Sequence, residues 1–369
     1  MSTIGLPNID IIFTQKAVTA IERSERGILA ICLYDSKVSA VTKRIYRYET
    51  DINASDYDEA NLKAIKRAFL VSVNKVYVIS APVPGEDKTA QMSDFTPTLE
   101  GMKYNYVCVL DHSLQQELVN YIITKNSNSA GKKYVAVTEN VTTVDSKYVI
   151  NLKGSYVHDV DTNSNIDMTM YLPRITSILC NLPLNRSITY YELEDIDKVD
   201  DSFINTEHDI DYWINEGNLI LFEDDDVIKV GRGVNTLTTF NSTDTEDMRK
   251  IIIMESINLM IEDIYNVFKD YYVGKYKNSL DNQRLFISSV NAYFRSLQRE
   301  EILDPAYDNE AFVDIEMQRE AWLAVGKTEA ADWDKEKVEE MTFKSYVYLA
   351  GNVKILDAIE DLKFTISMA

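Results

Sequence analysis

The first periodic stretch is Asn8-Ile9-Asp10-Ile11-Ile12-Phe13-Thr14, where Ile9, Ile11 and Phe13 fall on one strand face. It precedes any compact-looking region and reads as an extended arm. From Gly27 the pattern changes to a continuous apolar strand, GILAICLY, then a more polar strand near KRIYRYET. A helix is predicted over DYDEANLKAIKRAFL, with Leu62, Ile65, Ala68 and Phe69 on one face, and the strand KVYVISAP follows it. The beat recurs as YNYVCVLD, SLQQELVNYIITKN and KKYVAVTEN, and again as SKYVINLKGSYV followed by MTMYLPRITSILCNLPLN. Such βαβα ordering predicts an at least partly parallel sheet over roughly residues 60 to 185.

Beyond it, INEGNLILFEDDDVIKVGRGVNTLTTF predicts a β-hairpin with Glu223 to Asp226 at its tip, and Gly231-Arg232-Gly233 as a turn leading into another strand. A long helix is expected from Thr245 to Phe268, with an acidic, cap-competent start at Thr243 to Asp247. Two more are expected over about Leu280 to Arg299 and, with an acidic face, about Asn309 to Val325. The final segment alternates around Val353 and Ile355 and again at Leu362, Phe364, Ile366 and Met368, which predicts strands. The chain is therefore expected to begin and end in extended segments.

At 369 residues the chain exceeds the size at which one hydrophobic core stops growing, so two domains or one domain with a large insertion are expected. A hydrophobic content of 45% with charge spread along the chain is that of a folded protein. The formal charge of -21 repels a phosphate backbone, which argues against nucleic acid as a partner. The first thirty residues lack the pattern of a signal peptide, and no stretch has the length and apolarity of a membrane span, so no membrane insertion is expected. Cys32, Cys108 and Cys180 lie far apart in apolar surroundings and read as buried reduced thiols.

Candidate chemistry is sparse. Gly326-Lys327-Thr328 lacks the glycine five residues before Gly326 that a phosphate-cradling loop needs, Ala321 standing there and followed by Trp322. Asp224, Asp225 and Asp226 are adjacent, whereas a calcium loop spaces its carboxylates alternately, so a solvated turn is the better reading. His112, His158 and His208 show no zinc spacing. The residues assemble no catalytic centre, and neither a cofactor nor a metal is expected.

Three segments in order, GRGVNTLTTF, DMRKIIIMESINLMIEDI and YYVGKYKNSLDNQRLFISSVNAYFRSLQREEIL, resemble the C-terminal region of contractile phage tail sheath proteins. Upstream, MYLPRITSILCNLPLNRSITYYELED is similar to a family segment in which an apolar helix precedes a Ser-x-Thr turn and a strand, and PNIDIIF and Arg26-Gly27 sit where short sheath proteins have them. Ile178-Leu179-Cys180 departs from the Ala-Gly pair common in that helix.

The resemblance implies a structural subunit, not an enzyme, that forms sixfold rings stacked helically around a tail tube and shortens to drive the tube through a target envelope. Implied partners are other copies of the chain, the tube protein, and baseplate and terminator proteins. The implied location is the bacterial cytoplasm during assembly, then a virion tail or a released bacteriocin particle. The expected fold class is α/β (α+β), arranged as an arm at 1-20, an outer α/β domain at 21-189, an inner tube-facing domain at 190-343 and an arm at 344-369. Strand-donating arms would add Ile9, Ile11, Phe13, Val353, Ile355, Phe364 and Ile366 to neighbouring subunits' sheets, and Glu310 and Asp314 are candidates for facing the tube. The alternatives are another homopolymeric tail or capsid protein, and an α/β enzyme with a small ligand at the C-terminal ends of its strands.

Overall fold

The computed structural model describes residues 20-85 and 87-367. The first strand, β1 (Ile28–Asp35), is buried almost throughout, as expected of a continuous apolar run flanked on both sides. Next come β2 (Thr42–Tyr46), α1 (Glu59–Arg67), β3 (Lys75–Pro82), α2 (Thr96–Glu100), β4 (Tyr106–Val109), α3 (Gln115–Asn128), β5 (Val135–Glu139) and β6 (Val149–Lys153). The chain continues through β7 (Tyr156–Asp159), β8 (Ser164–Asp167), α4 (Met168–Asn181), β9 (Ile196–Val199), α5 (Ile210–Asn215), β10 (Asn218–Asp224), β11 (Val227–Val230) and α6 (Ile251–Val267). The remaining elements are α7 (Leu280–Arg299), β12 (Glu310–Val313), α8 (Ile315–Ala324), α9 (Lys335–Glu340) and β13 (Leu349–Asn352).

Among the described residues, eight strands form one sheet in the order β11-β10-β6-β5-β4-β1-β3-β2. β10, β6, β5, β4, β1 and β3 run parallel, and β11 and β2 close the edges antiparallel. Alternation within β1 divides the core. Leu29, Ile31 and Leu33 pack with Tyr171, Leu172, Ile175 and Ile178 of α4, while Ile28, Ala30 and Cys32 face Leu99 of α2 and Leu118 and Ile122 of α3. All three cysteines are buried and unpaired, as their apolar contexts predicted. β7, β8 and β9 form a separate three-stranded antiparallel sheet.

The chain divides into two compact units, one of Arg23–Asn266 with Gln298–Asp304 and residues 354 onward, the other chiefly of Val267–Leu297 and Pro305–Val353. The expected break near residue 190 is therefore displaced to 266/267. Leu219, Leu221, Ile228 and Val230 of the hairpin join the core begun by β1, and β10 pairs with β6 from Asn218 opposite Asn151. That ties residues 218-230 to the first half of the chain.

Four local expectations are also corrected. The long helix starts at Ile251 and not Thr245, because a 3-10 turn over Glu246–Arg249 ends at Lys250, whose extended backbone bridges to Val234. Residues 235-240 then form no strand. The acidic helix over 309-325 is a strand followed by a helix: β12 pairs antiparallel with β13, Glu310 opposite Asn352, and only Ile315–Ala324 is helical. The last strand is Leu349–Asn352, ending just before Val353. Ile355 makes one bridge to Leu303, and residues 356-367 carry no strand.

Candidate functional site

Ile9, Ile11 and Phe13 lie outside the described residues. The predicted carboxy-terminal contacts are placed in two settings. Ile355 is half-buried against its own subunit, where Asp304 N donates to Lys354 O at 2.8 Å and Leu356 N to Ile302 O at 3.0 Å. Farther on, Phe364 is 74% and Ile366 72% exposed. Val353 is also exposed. Glu310 is exposed on β12, and Asp314 caps α8, its Oδ1 accepting from Met317 N at 2.9 Å. The two acids proposed for the tube therefore differ in local employment.

The most elaborate polar constellation along the C-terminal segment is one that spacing did not reveal. Here Ser187-x-Thr189, Gly231-Arg232-Gly233 and Lys250 converge on the carboxylate of Glu360. Thr189 Oγ1 donates to Glu360 Oε1 at 2.6 Å, and Ser187 Oγ donates to the same oxygen at 3.1 Å. Oε2 makes no hydrogen bond and is held by charge, with Lys250 Nζ at 3.4 Å and Arg232 Nε at 3.8 Å. Each cation also takes an outer acid: Arg232 Nη2 donates to Asp361 Oδ1 at 2.6 Å, and Lys250 Nζ to Asp357.

Gly233 is required here by close approach. Its N-H donates to Thr189 Oγ1 at 3.0 Å, and a Cβ at this position would come within 2.9 Å of Ile188 Cγ2. The hydrogen bond to Asp361 outweighs partial burial and raises the Arg232 pKa. Burial acts to lower that of Lys250, but Asp357 and Glu360 together outweigh it and raise it. Both residues stay cationic across the physiological range.

The C-terminal ends of the parallel strands, where an α/β enzyme would hold a ligand, are occupied by capping interactions. Asp35 Oδ2 accepts from Asp58 N at 2.9 Å and Asn61 Nδ2 at 2.8 Å, and Asp111 Oδ1 accepts from Ser113 N at 2.9 Å. Buried Glu139 is shared by His112 at 2.5 Å, Asn140 at 2.5 Å and Thr169 at 2.9 Å, and the hydrogen bond to Glu139 raises the His112 pKa. Lys327, at the incomplete phosphate-loop pattern, pairs with Glu329 at 2.9 Å. Among the described residues no group of three or more His, Cys, Asp or Glu side chains is placed to hold a metal ion, and no helix is long and apolar enough to cross a membrane.

Signals for part of this constellation were present in the sequence, since the Gly-Arg-Gly run and the Ser-x-Thr turn both stood out. Lys250 and Glu360 carried none.

Comparison with known proteins agrees with this architecture. The family model "Phage tail sheath C-terminal domain" matches residues 243–369. A tail sheath protein of Clostridium phage phiCD119 is 28% identical over 375 residues, covering 99% of each chain. Among solved structures, a sheath tail protein of Desulfitobacterium hafniense superposes with a TM-score of 0.66 at 15% identity, over 83% of this chain and 94% of that one. The helical sheath of the anti-feeding prophage in its contracted state gives a TM-score of 0.67 at 10% identity, over 99% of both chains. The C-terminal third thus matches the phage tail sheath C-terminal domain family, and along its whole length the chain is similar to a phage tail sheath protein and shares the fold of solved sheath proteins.

Proposed function

We propose that this subunit joins copies of itself into sixfold rings stacked around a tail tube, and that the stack shortens to push the tube through a target envelope. Assembly takes place in the bacterial cytoplasm, against a baseplate at one end and a terminator at the other. The subunit acts without catalysis. The work comes from a folded lattice relaxing to a packing of lower free energy, as bistable interfaces allow.

One observation carries this reading. Residues 356-367 form no strand within their own subunit, yet Leu362, Phe364 and Ile366 alternate and are all exposed. An isolated strand is not stable in water, whereas added to another copy's sheet edge it gains main-chain hydrogen bonds and side-chain burial. On this reading the N-terminal Ile9, Ile11 and Phe13 serve as a second donor strand. The smaller unit, which carries Glu310 and Asp314, faces the tube. Negative-stain electron microscopy of the purified chain tests the proposal: tubes of stacked rings are expected, and a persistently monomeric protein at high concentration would overturn it.

A further inference from the structure

The C-terminal segment turns its acid inward and its apolar side chains outward, the reverse of what hydrophobic burial favours. Ile359 is 100% exposed, while the next side chain, Glu360, is only 5% exposed and Asp361 is 78% exposed. Withdrawing a carboxylate from water is unfavourable unless donors and opposite charge replace the water. The chain supplies both, from stretches far apart in sequence: hydroxyls of Ser187 and Thr189 on one oxygen, Lys250 and Arg232 on the other. The surrounding backbone is fitted to the task, since Thr189 Oγ1 can donate to Glu360 while its lone pair accepts Gly233 N-H at 3.0 Å.

Residues 356-367 form no strand, so this one side chain is the buried polar anchor of a segment whose backbone lacks a sheet partner. Immediately after it come Leu362, Phe364 and Ile366. We propose that Ser187, Thr189, Arg232 and Lys250 form a peptide-binding socket whose ligand is the acidic segment Asp357 to Asp361 of the same chain, with Glu360 as the residue read. The socket acts as a latch that sets where the strand-forming residues 362-366 leave the subunit. That second role rests on the sheath reading; recognition of Glu360 does not.

The test uses the full-length chain in dilute solution. Tryptic cleavage after exposed Lys363 reports how often the segment detaches, because a protease needs several residues of released chain. Glu360→Gln and Thr189→Val are each expected to speed this cleavage about tenfold. Asp361→Asn, which removes only a highly exposed pair, should change it far less. Raising salt from about 0.1 M to about 1 M should accelerate wild-type cleavage more than that of Glu360→Gln, since the charged contacts are screened.

A fluorescent peptide of residues 355-367 should bind full-length Glu360→Gln, whose own segment is released, and the same peptide with Gln at position 360 should not. Unchanged cleavage in both socket variants, or equal binding of the two peptides, overturns the socket. Loss of the folded circular dichroism signal in both variants also overturns it, because the carboxylate would then serve the fold and not a latch. If the wild-type chain forms no tubes while cleavage and peptide binding behave as expected, the sheath reading fails and the socket stands.

Discussion

Asp159 illustrates how a single buried carboxylate ties the chain's pH response to its fold. Burial acts to raise its pKa, but Arg67 Nη2 at 2.8 Å and Thr162 N at 2.7 Å outweigh burial and hold it below the usual carboxylate range. A folded-state pKa depressed below the unfolded value means stability that is present above the unfolded pKa of about 3.9 and lost as pH falls through the folded pKa. Asp159→Asn leaves the Arg67 guanidinium, 11% exposed, without its counter-charge, and should cost about 3 kcal/mol at neutral pH. The gap in melting temperature between wild type and variant should narrow below about pH 4; a gap that stays constant into strong acid would show that the carboxylate charge is not its origin. Glu310 and Asp314 separate in the same manner. Asp314→Lys removes the α8 cap and should cost about 1 kcal/mol whatever the tube does, whereas Glu310→Lys changes an exposed strand position and should leave urea stability unaltered. Impaired assembly on the tube by Glu310→Lys at unchanged stability is the outcome expected of a tube contact. Normal assembly would place that contact elsewhere.

At the scale of elements, the β10-β11 hairpin has Asp224 opposite Val227, leaving Asp225 and Asp226 as a two-residue loop with φ of 51° and 61°. A type I′ turn needs positive φ at both positions and admits Asp, Asn or Gly. Asp226→Val should therefore destabilise by roughly 1-2 kcal/mol, and Asp226→Gly should not destabilise at all. Urea melts of the two variants decide this, and equal loss in both would implicate the Asp226 side chain instead of the backbone. This hairpin was legible because its signal is local: two apolar runs around an acidic turn. The helices of α1, α3, α4 and α7 and the buried strands β1 and β3 were legible for the same reason, each period being complete within its own segment. β12 was not, because EAFV spans one short strand followed by a helix-forming run, and its partner Leu349–Asn352 lies about 40 residues downstream. The start of α6 was misplaced because the extended backbone at Lys250 depends on Val234, and the domain break was misplaced because β10 returns to β6 across α4 and α5. The socket falls between these cases. Its glycines and hydroxyls are local signals, but nothing near Glu360 indicates that its carboxylate is buried.

For the whole molecule, the decisive question is which part of the C-terminal segment belongs to the subunit's own fold and which part is available to other copies. Residues up to Leu356 are engaged internally: β13 pairs with β12 from Val313 opposite Leu349, Ile355 bridges Leu303, and Leu356 N donates to Ile302 O at 3.0 Å. Truncation after Ser345 removes all of these together with the Glu360 anchor. It exposes Ala311 and Val313, which are buried, and should lower the melting temperature sharply or prevent folding. Loss of tubes by that variant would then say little about the lattice. Deleting residues 362-369 is the sharper cut. It spares β13, the Leu303 bridge and the socket, and takes away the exposed side chains of Leu362, Phe364 and Ile366, which contribute nothing to the subunit's core. If these residues pair with another copy, each backbone hydrogen bond adds about 0.5-1.5 kcal/mol net and each buried side chain about 1.5-3 kcal/mol, so their loss acts at every subunit contact at once. The expected outcome is an unchanged circular dichroism melt with no tubes in negative-stain images at concentrations where the full chain forms them. Tubes of normal length from the shortened chain would remove the C-terminal strand from the lattice and leave the N-terminal segment as the candidate link. A fall in melting temperature on deleting 362-369 would instead place these residues within the subunit's own fold.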